Sequence, residues 1–224
     1  MKQFSDHLTS EPFKNRGSSK IDYTLYLVTD SELMSTSNIE ECVEHAVLGG
    51  CTVVQLREKT ASSKEFFQTA LRVREITDRL GVPLIINDRA DIALAVDADG
   101  LHIGQDDFPY QAARHIIGQD KIIGVSVSSL PEALEAESLG ADYLGVGAMF
   151  TTGTKLVTSF TSIDELRLIR EKVSIPIVVI GGINKETIPL FNGIGIDGIA
   201  VVSAIVSQAN IKNAAKELKL LFQA

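Results

Sequence analysis

One pattern, repeated eight times, constrains what this chain can become. From Tyr23 onward a short run rich in β-branched residues or leucine is followed by a turn and then by a stretch with helical spacing. The runs are LYLVTD, TVVQLR, VPLIIND, GLHIGQ, IIGVSV, YLGVGAM, IPIVVIGG and GIAVVSAI. Each is almost continuously apolar, as a strand covered on both faces must be, and strands covered in this way pair in parallel. An open doubly wound sheet usually has fewer such units and a reversal of strand order, so the count predicts an α/β fold of the (β/α)8 TIM-barrel type. A single barrel domain is expected over residues 22–224. Residues 1–21 lack apolar periodicity and contain a Gly-Ser-Ser run, which predicts an N-terminal extension.

Helix boundaries follow from local chemistry. Ser37 with Glu40, Ser62 with Glu65, Ser129 with Glu132 and Ser162 with Glu165 have capping-box spacing, and Gly81 and Gly140 stand where helices should stop. The last stretch, SQANIKNAAKELKLLFQA, predicts an amphipathic C-terminal helix.

A barrel makes a prediction about chemistry: functional groups collect at the C-terminal ends of the strands, and the opposite end serves stability. The residue types agree. Gln55, Arg57 and Lys59 follow the second run, Asn87 and Asp88 the third, and Gln105, Asp106 and Asp107 the fourth. Ser126 follows IIGV, and Thr152, Thr154 and Lys155 follow the sixth run. Gly181 and Gly182 close the seventh, and Ser203 falls within the eighth.

The net charge of -8 argues against a nucleic-acid or anionic-membrane partner, so an anionic ligand needs a local basic cluster. Gln55, Arg57 and Lys59 alternate, and a strand would point all three the same way. A solvated charged edge is the plain alternative, but two cations side by side repel unless an anion lies between them. Asp88 and Asp107 would meet at the mouth, where two carboxylates ~4 Å apart at an effective dielectric of ~20 repel by ~4 kcal/mol. Mg²⁺ offsets such repulsion, because it binds through one or two carboxylates and takes its other ligands from water and phosphate. Asp106 reads better as a cap for the following helix.

The loop TTGTK lacks Walker spacing, yet it offers two hydroxyls, Gly153 and a lysine in sequence, a set suited to a phosphate. Gly181-Gly182, with Asn184 opening a helix, pairs with Val202-Ser203 as the phosphate site many barrels build after strands seven and eight. His7, His45, His102 and His115 read as packed or surface residues. Two anion sites imply two phosphorylated small-molecule substrates, and a metal beside several cations suits a pyrophosphate leaving group.

No apolar run approaches the ~18 residues of a membrane span, and the first residues are too polar for a secretory signal, so a soluble cytoplasmic protein is expected. Cys42 and Cys51 then read as reduced thiols.

In this order the motifs VQLREK, INDR, GLHIGQDD, GVS, YLGVGAMF with TTGTK, GGI and VVSAI resemble the thiamine-phosphate synthase family over the chain from about Tyr23 to its end. The resemblance implies joining 4-amino-2-methyl-5-hydroxymethylpyrimidine diphosphate to a thiazole monophosphate. It assigns Gln55, Leu56, Arg57, Glu58, Lys59 and Asn87 to the pyrimidine diphosphate and Asp88 and Asp107 to Mg²⁺. Ser126 and Lys155 would contact the pyrophosphate, making Arg57, Lys59, Ser126 and Lys155 the expected catalytic set. Thr152, Gly153 and Thr154 would lie by the thiazole, and Gly182, Val202 and Ser203 would hold its phosphate. The family chemistry is dissociative, which accords with a mouth rich in charges and donors but without a nucleophile or general base. Where the family usually has Gly-Pro, this chain has Gly147-Ala148. The alternatives are a related thiazole tautomerase and a non-catalytic phosphate-binding barrel; the presence of Arg57, Lys59, Asp88, Asp107 and Lys155 favours the synthase.

Overall fold

A strand turns successive side chains to opposite faces, and in this chain the two faces make two cores. The computed structural model describes residues 21–151 and 160–224. Residues 1–20 of the expected extension, and Thr152, Gly153, Thr154 and Lys155, lie outside the described residues.

The strands are β1 (Leu25–Val28), β2 (Val53–Leu56), β3 (Leu84–Asn87), β4 (Gly100–Ile103), β5 (Ile122–Val127), β6 (Tyr143–Val146), β7 (Ile177–Val179) and β8 (Gly198–Val201). All pair in parallel and in sequence order, and Tyr26 opposite Ala200 closes β1 onto β8. Outward residues such as Leu27, Leu56, Ile86, Leu101, Leu144 and Val179 pack against the helical layer. Tyr23, Tyr26, Val28, Val53, Ile85, Tyr143, Val178 and Ala200 form a separate cluster inside the barrel.

The surrounding helices are α1 (Ile39–Leu48), α2 (Ser63–Leu80), α3 (Ala90–Ala95), α4 (Tyr110–Ile117), α5 (Leu130–Leu139), α6 (Ile163–Lys172), α7 (Ser203–Val206) and α8 (Ile211–Gln223). The capping box of α2 forms as expected, and Gly81 and Gly140 end their helices in the left-handed conformation that glycine adopts without a Cβ clash.

Other boundaries shift. Helix α1 is capped by Asn38, whose Oδ1 accepts from Glu41 N at 2.9 Å, rather than by Ser37. Ser129 stands at the cap of α5 without a capping bond, because Glu132 folds back onto Ser128 N. Ser162 caps α6, but the Glu165 carboxylate is taken by Leu130 N of the neighbouring unit, so only half a box forms. Asn184 opens no helix: its Oδ1 accepts from Glu186 N and Thr187 N, and the chain continues into a 3₁₀ turn over Ile188–Phe191. Ser203 lies beyond the eighth strand and begins α7.

At the N-terminal end of the barrel one device recurs every second unit. Asp99 before β4 accepts from Leu84 N at 2.7 Å and from Arg74 of α2 at 2.5 Å. Asp142 before β6 accepts from Ile123 N at 2.7 Å and Arg114 of α4 at 2.8 Å. Asp197 before β8 accepts from Ile177 N at 2.9 Å and Arg170 of α6 at 3.2 Å. Each aspartate ties a helix to the start of a strand whose N–H would otherwise lack a partner.

Cys42 and Cys51 are both buried and unpaired. No helix among the described residues is long and apolar enough to cross a membrane.

Candidate active site

Inward-facing positions near the C-terminal ends of the strands open into one cavity of about 760 Å³. One side is lined by Asp30, Gln55, Arg57, Lys59, Asn87 and Ser126, the other by Gly181, Gly182, Val202, Ser203 and Ala204. The two anion regions expected as separate sites therefore face a shared volume.

Gln55 points into the barrel and is 5% exposed. Leu56, one residue on, points outward into the helix-side core with no exposure, so its side chain is turned away from the mouth. Glu58 turns to Ser31, whose Oγ donates to it at 2.8 Å, and burial raises its pKa. Arg57 and Lys59 lie past the strand end and still line the cavity. Neither cation is unpaired: Arg57 Nη1 meets Asp30 Oδ2 at 3.0 Å and Lys59 Nζ meets Asp88 Oδ2 at 2.7 Å. The repulsion expected between these cations is thus offset inside the chain, so repulsion by itself does not call for an anion between them.

Asp88 sits at φ 63°, a left-handed conformation that aspartate tolerates better than most residues. Its N–H is anchored on His102 O at 2.9 Å. Asp107 accepts from Gly104 N at 2.7 Å. Its pKa is raised, first by burial and then by Asp88 alongside, against the opposing pull of Gly104 N–H and Lys59. Asp106 does not cap α4, which begins behind Pro109 with no side-chain cap.

Among the described residues no group of three or more His, Cys, Asp and Glu side chains can hold a metal. Asp88 and Asp107 still suit Mg²⁺, which needs only one or two carboxylates when water and phosphate complete its shell. Among the described residues, Arg57 and Lys59 face the carboxylates of Asp30, Asp88 and Asp107, a set that carries formally one negative charge in excess and so has room for a cation.

His102 packs inside the barrel, as one of the expected readings allowed, but it also lines the cavity. Its Nε2 lies 2.8 Å from Ser126 Oγ and its Nδ1 2.8 Å from Tyr143 Oη. Tyr143 Oη is 2.7 Å from Tyr26 Oη, to which Gln55 Nε2 donates at 2.9 Å. Burial pushes the His102 pKa down to about 4, with Asp88 opposing, and burial raises both tyrosines, so the groups are neutral near pH 7. Asp30, Tyr26 and Tyr143 were missed at the level of sequence. Strand glycines were the available signal. A Cβ on Gly124 would lie 2.0 Å from the Tyr143 ring, and one on Gly145 would lie 2.9 Å from His102 Cε1.

A family model described as thiamine monophosphate synthase matches residues 25–205. A thiamine-phosphate synthase of Clostridium beijerinckii is 64% identical over 200 residues, covering 89% of this chain and 96% of its own length. That of Ruminiclostridium cellulolyticum is 60% identical over 204 residues, covering 91% and 97%. Among solved structures, a thiamine phosphate pyrophosphorylase from Pyrococcus furiosus superposes with a TM-score of 0.82 at 40% identity, covering 91% of this chain and 96% of that one.

Proposed function

This chain belongs to the thiamine monophosphate synthase family and is an enzyme of the transferase class, and from that premise we propose that its barrel mouth condenses 4-amino-2-methyl-5-hydroxymethylpyrimidine diphosphate with hydroxyethylthiazole phosphate, or its carboxylated form, to thiamine monophosphate and pyrophosphate. The observation that carries this is the shared cavity: Arg57 and Lys59 on one side, with Asp88 and Asp107 behind Lys59, and a glycine turn and a helix start on the other. Two phosphorylated molecules held on those two sides would present their reactive ends to each other, which is where proximity lowers a barrier.

On the pyrimidine side, Gln55 and Asn87 line the space for the ring and Arg57 is held in place by Asp30. Asp88 and Asp107 would hold Mg²⁺, which when bound supplies positive charge to the departing pyrophosphate. Engagement of Asp88 in that role would release Lys59, already 55% exposed, to a phosphate oxygen. Ser126 would donate to the same group, with Lys155 completing the set. On the other side, Gly182 and Val202 adjoin the first turn of α7, where Ser203 N–H and Ala204 N–H have no intrahelical acceptor and suit a phosphate. Ser126 lies 2.8 Å from His102 Nε2, but a histidine whose pKa burial pushes down to about 4 is a poor general base, which fits departure of pyrophosphate followed by attack of the thiazole nitrogen on the pyrimidine cation. A cytoplasmic setting accords with two buried, unpaired thiols.

A coupling assay with both phosphorylated substrates, with and without a chelator, followed by product mass, tests this. Thiamine monophosphate and pyrophosphate are expected only with Mg²⁺ present, and absence of product would overturn the proposal. Asp88→Ala and Lys155→Ala should each lower turnover by orders of magnitude with the fold retained. Near wild-type turnover of either variant at saturating Mg²⁺ would remove that residue from the site.

A further inference from the structure

Five side chains from five strands form one hydrogen-bonded line through the barrel interior: Gln55, Tyr26, Tyr143, His102 and Ser126. Both ends and the histidine line the cavity, while the two tyrosines are fully buried beneath it. Among the described residues no buried side-chain nitrogen or oxygen lacks a hydrogen-bond partner, so every buried atom of the line is paired.

We propose that this line is a positioning relay that holds His102 as its Nε2–H tautomer and thereby turns the Ser126 hydroxyl proton into the cavity as a donor. The direction follows from counting protons. Gln55 presents its amide nitrogen to Tyr26 Oη, and an amide nitrogen only donates. Tyr26 has one hydroxyl hydrogen, and it goes to Tyr143 Oη at 2.7 Å. The Tyr143 hydrogen then goes to His102 Nδ1 at 2.8 Å, which must accept. In a neutral imidazole the other nitrogen carries the proton, so His102 Nε2–H donates to Ser126 Oγ at 2.8 Å. Ser126 accepts from the ring and is left with its own hydrogen for a ligand.

In the reverse polarity Gln55 would offer its carbonyl to Tyr26, and Ser126 would donate to the ring and face the cavity as an acceptor only. An anionic oxygen beside such a serine is repelled rather than held. The relay rests on the proposed function only for the identity of that anion, the pyrophosphate. Its seating is part of the strand design: Gly124 leaves room for the Tyr143 ring and Gly145 for the His102 ring, where a Cβ would lie 2.0 Å and 2.9 Å away. Gln105 Nε2 donates to Ser126 O at 2.7 Å, which steadies the strand end that carries the hydroxyl. Tyr26, Tyr143 and His102 act through Ser126 and touch no reacting atom.

The tautomer is read directly by ¹⁵N NMR of the full chain without substrates, with the His102 signals assigned by their loss in His102→Gln. A protonated Nε2 and a bare Nδ1 are expected in the wild type. A protonated Nδ1 would overturn the relay whatever the coupling assay shows. Tyr143→Phe removes the donor at Nδ1 and should mix the tautomers and lower kcat on the order of tenfold, the value of one hydrogen bond to a charged group. In a double-mutant cycle, Tyr143→Phe should cost almost nothing further once Ser126→Ala is present. Costs that multiply would show that Tyr143 acts independently of Ser126 and would refute the relay. Should Tyr143→Phe fold poorly, Tyr26→Phe enters the same cycle one step further back, with the same two outcomes.

Discussion

Replacing Asp99 with alanine should destabilise the barrel by about 3–5 kcal/mol, the usual result of removing one partner from a buried ion pair, while leaving its catalytic rate intact. The Asp99 side chain is 5% exposed and that of Arg74 13%, so both are shielded from water. The carboxylate accepts from Arg74 at 2.5 Å and from Leu84 N at 2.7 Å. Alanine would strand a guanidinium and the first N–H of β3 together. Arg74 keeps a bond to Asp78 at 3.2 Å, which moves the expected loss toward the lower end of the range. Asp197, with 33% side-chain exposure and a longer 3.2 Å contact to Arg170, should cost less when replaced, on the order of 1–2 kcal/mol after allowance for solvent screening. Urea denaturation gives the comparison through the midpoint at unchanged slope. For a domain of this size the Asp99→Ala loss corresponds to a fall in Tm of roughly 6–20 °C. A loss below about 1 kcal/mol, or an Asp197→Ala variant less stable than Asp99→Ala, would refute the assignment of this face to stability. Slower turnover in a fully folded Asp99→Ala protein would refute it as well.

Gly182→Ala should raise the KM for the thiazole phosphate at least about tenfold, because Gly182 has φ 68° and a Cβ there would lie 2.7 Å from Phe150 Cβ and 2.8 Å from Thr151 O; an unchanged KM would separate this turn from the phosphate. Glu137 accepts from Ser174 N and Ser174 Oγ at 2.7 Å, which holds its carboxyl below the ordinary glutamate range. A depressed folded-state pKa adds stability above the unfolded value of ~4.3 and loses it as pH falls through the folded value. The stability gap between wild type and Glu137→Gln should therefore be open at pH 7 and close below about pH 4; a gap that does not vary with pH contradicts this. Burial pushes the Cys42 thiol up to about 11 and raises Cys51 further, so a thiol reagent at neutral pH should label neither in the native protein and both after unfolding. Rapid native labelling would show that the helix-to-barrel core around them opens.

Legibility differed by element for physical reasons. The eight strands could be read because their outward positions must be apolar to meet the helical layer, as at Leu27, Leu56 and Leu101. The strand-end polar residues Gln55, Asn87 and Ser126 could be read because nothing in a packed barrel core calls for them, and all three line the cavity. Caps were less certain, since neighbouring polar residues compete for the same N–H groups: Asn38 displaced Ser37, and Glu165 was drawn off to another unit. Ser203 continues an apolar run, and no residue type marks where β8 gives way to α7.

Pairing was the part that local pattern did not reveal. Arg57 finds Asp30 and Lys59 finds Asp88 across 27 and 29 residues of chain, and His102 reaches Tyr143 across 41. These separations close only when the strands pair. By itself the chain determined the period, the parallel strands, the face on which polar groups gather and the family to which they belong, because each depends on residue type at short range. Tertiary structure alone decided that the two polar regions line one cavity, that its cations already carry carboxylates, and that a buried histidine lies 2.8 Å from a serine at the rim. Those outcomes depend on which strands become neighbours and on the space that Gly124 and Gly145 leave between them.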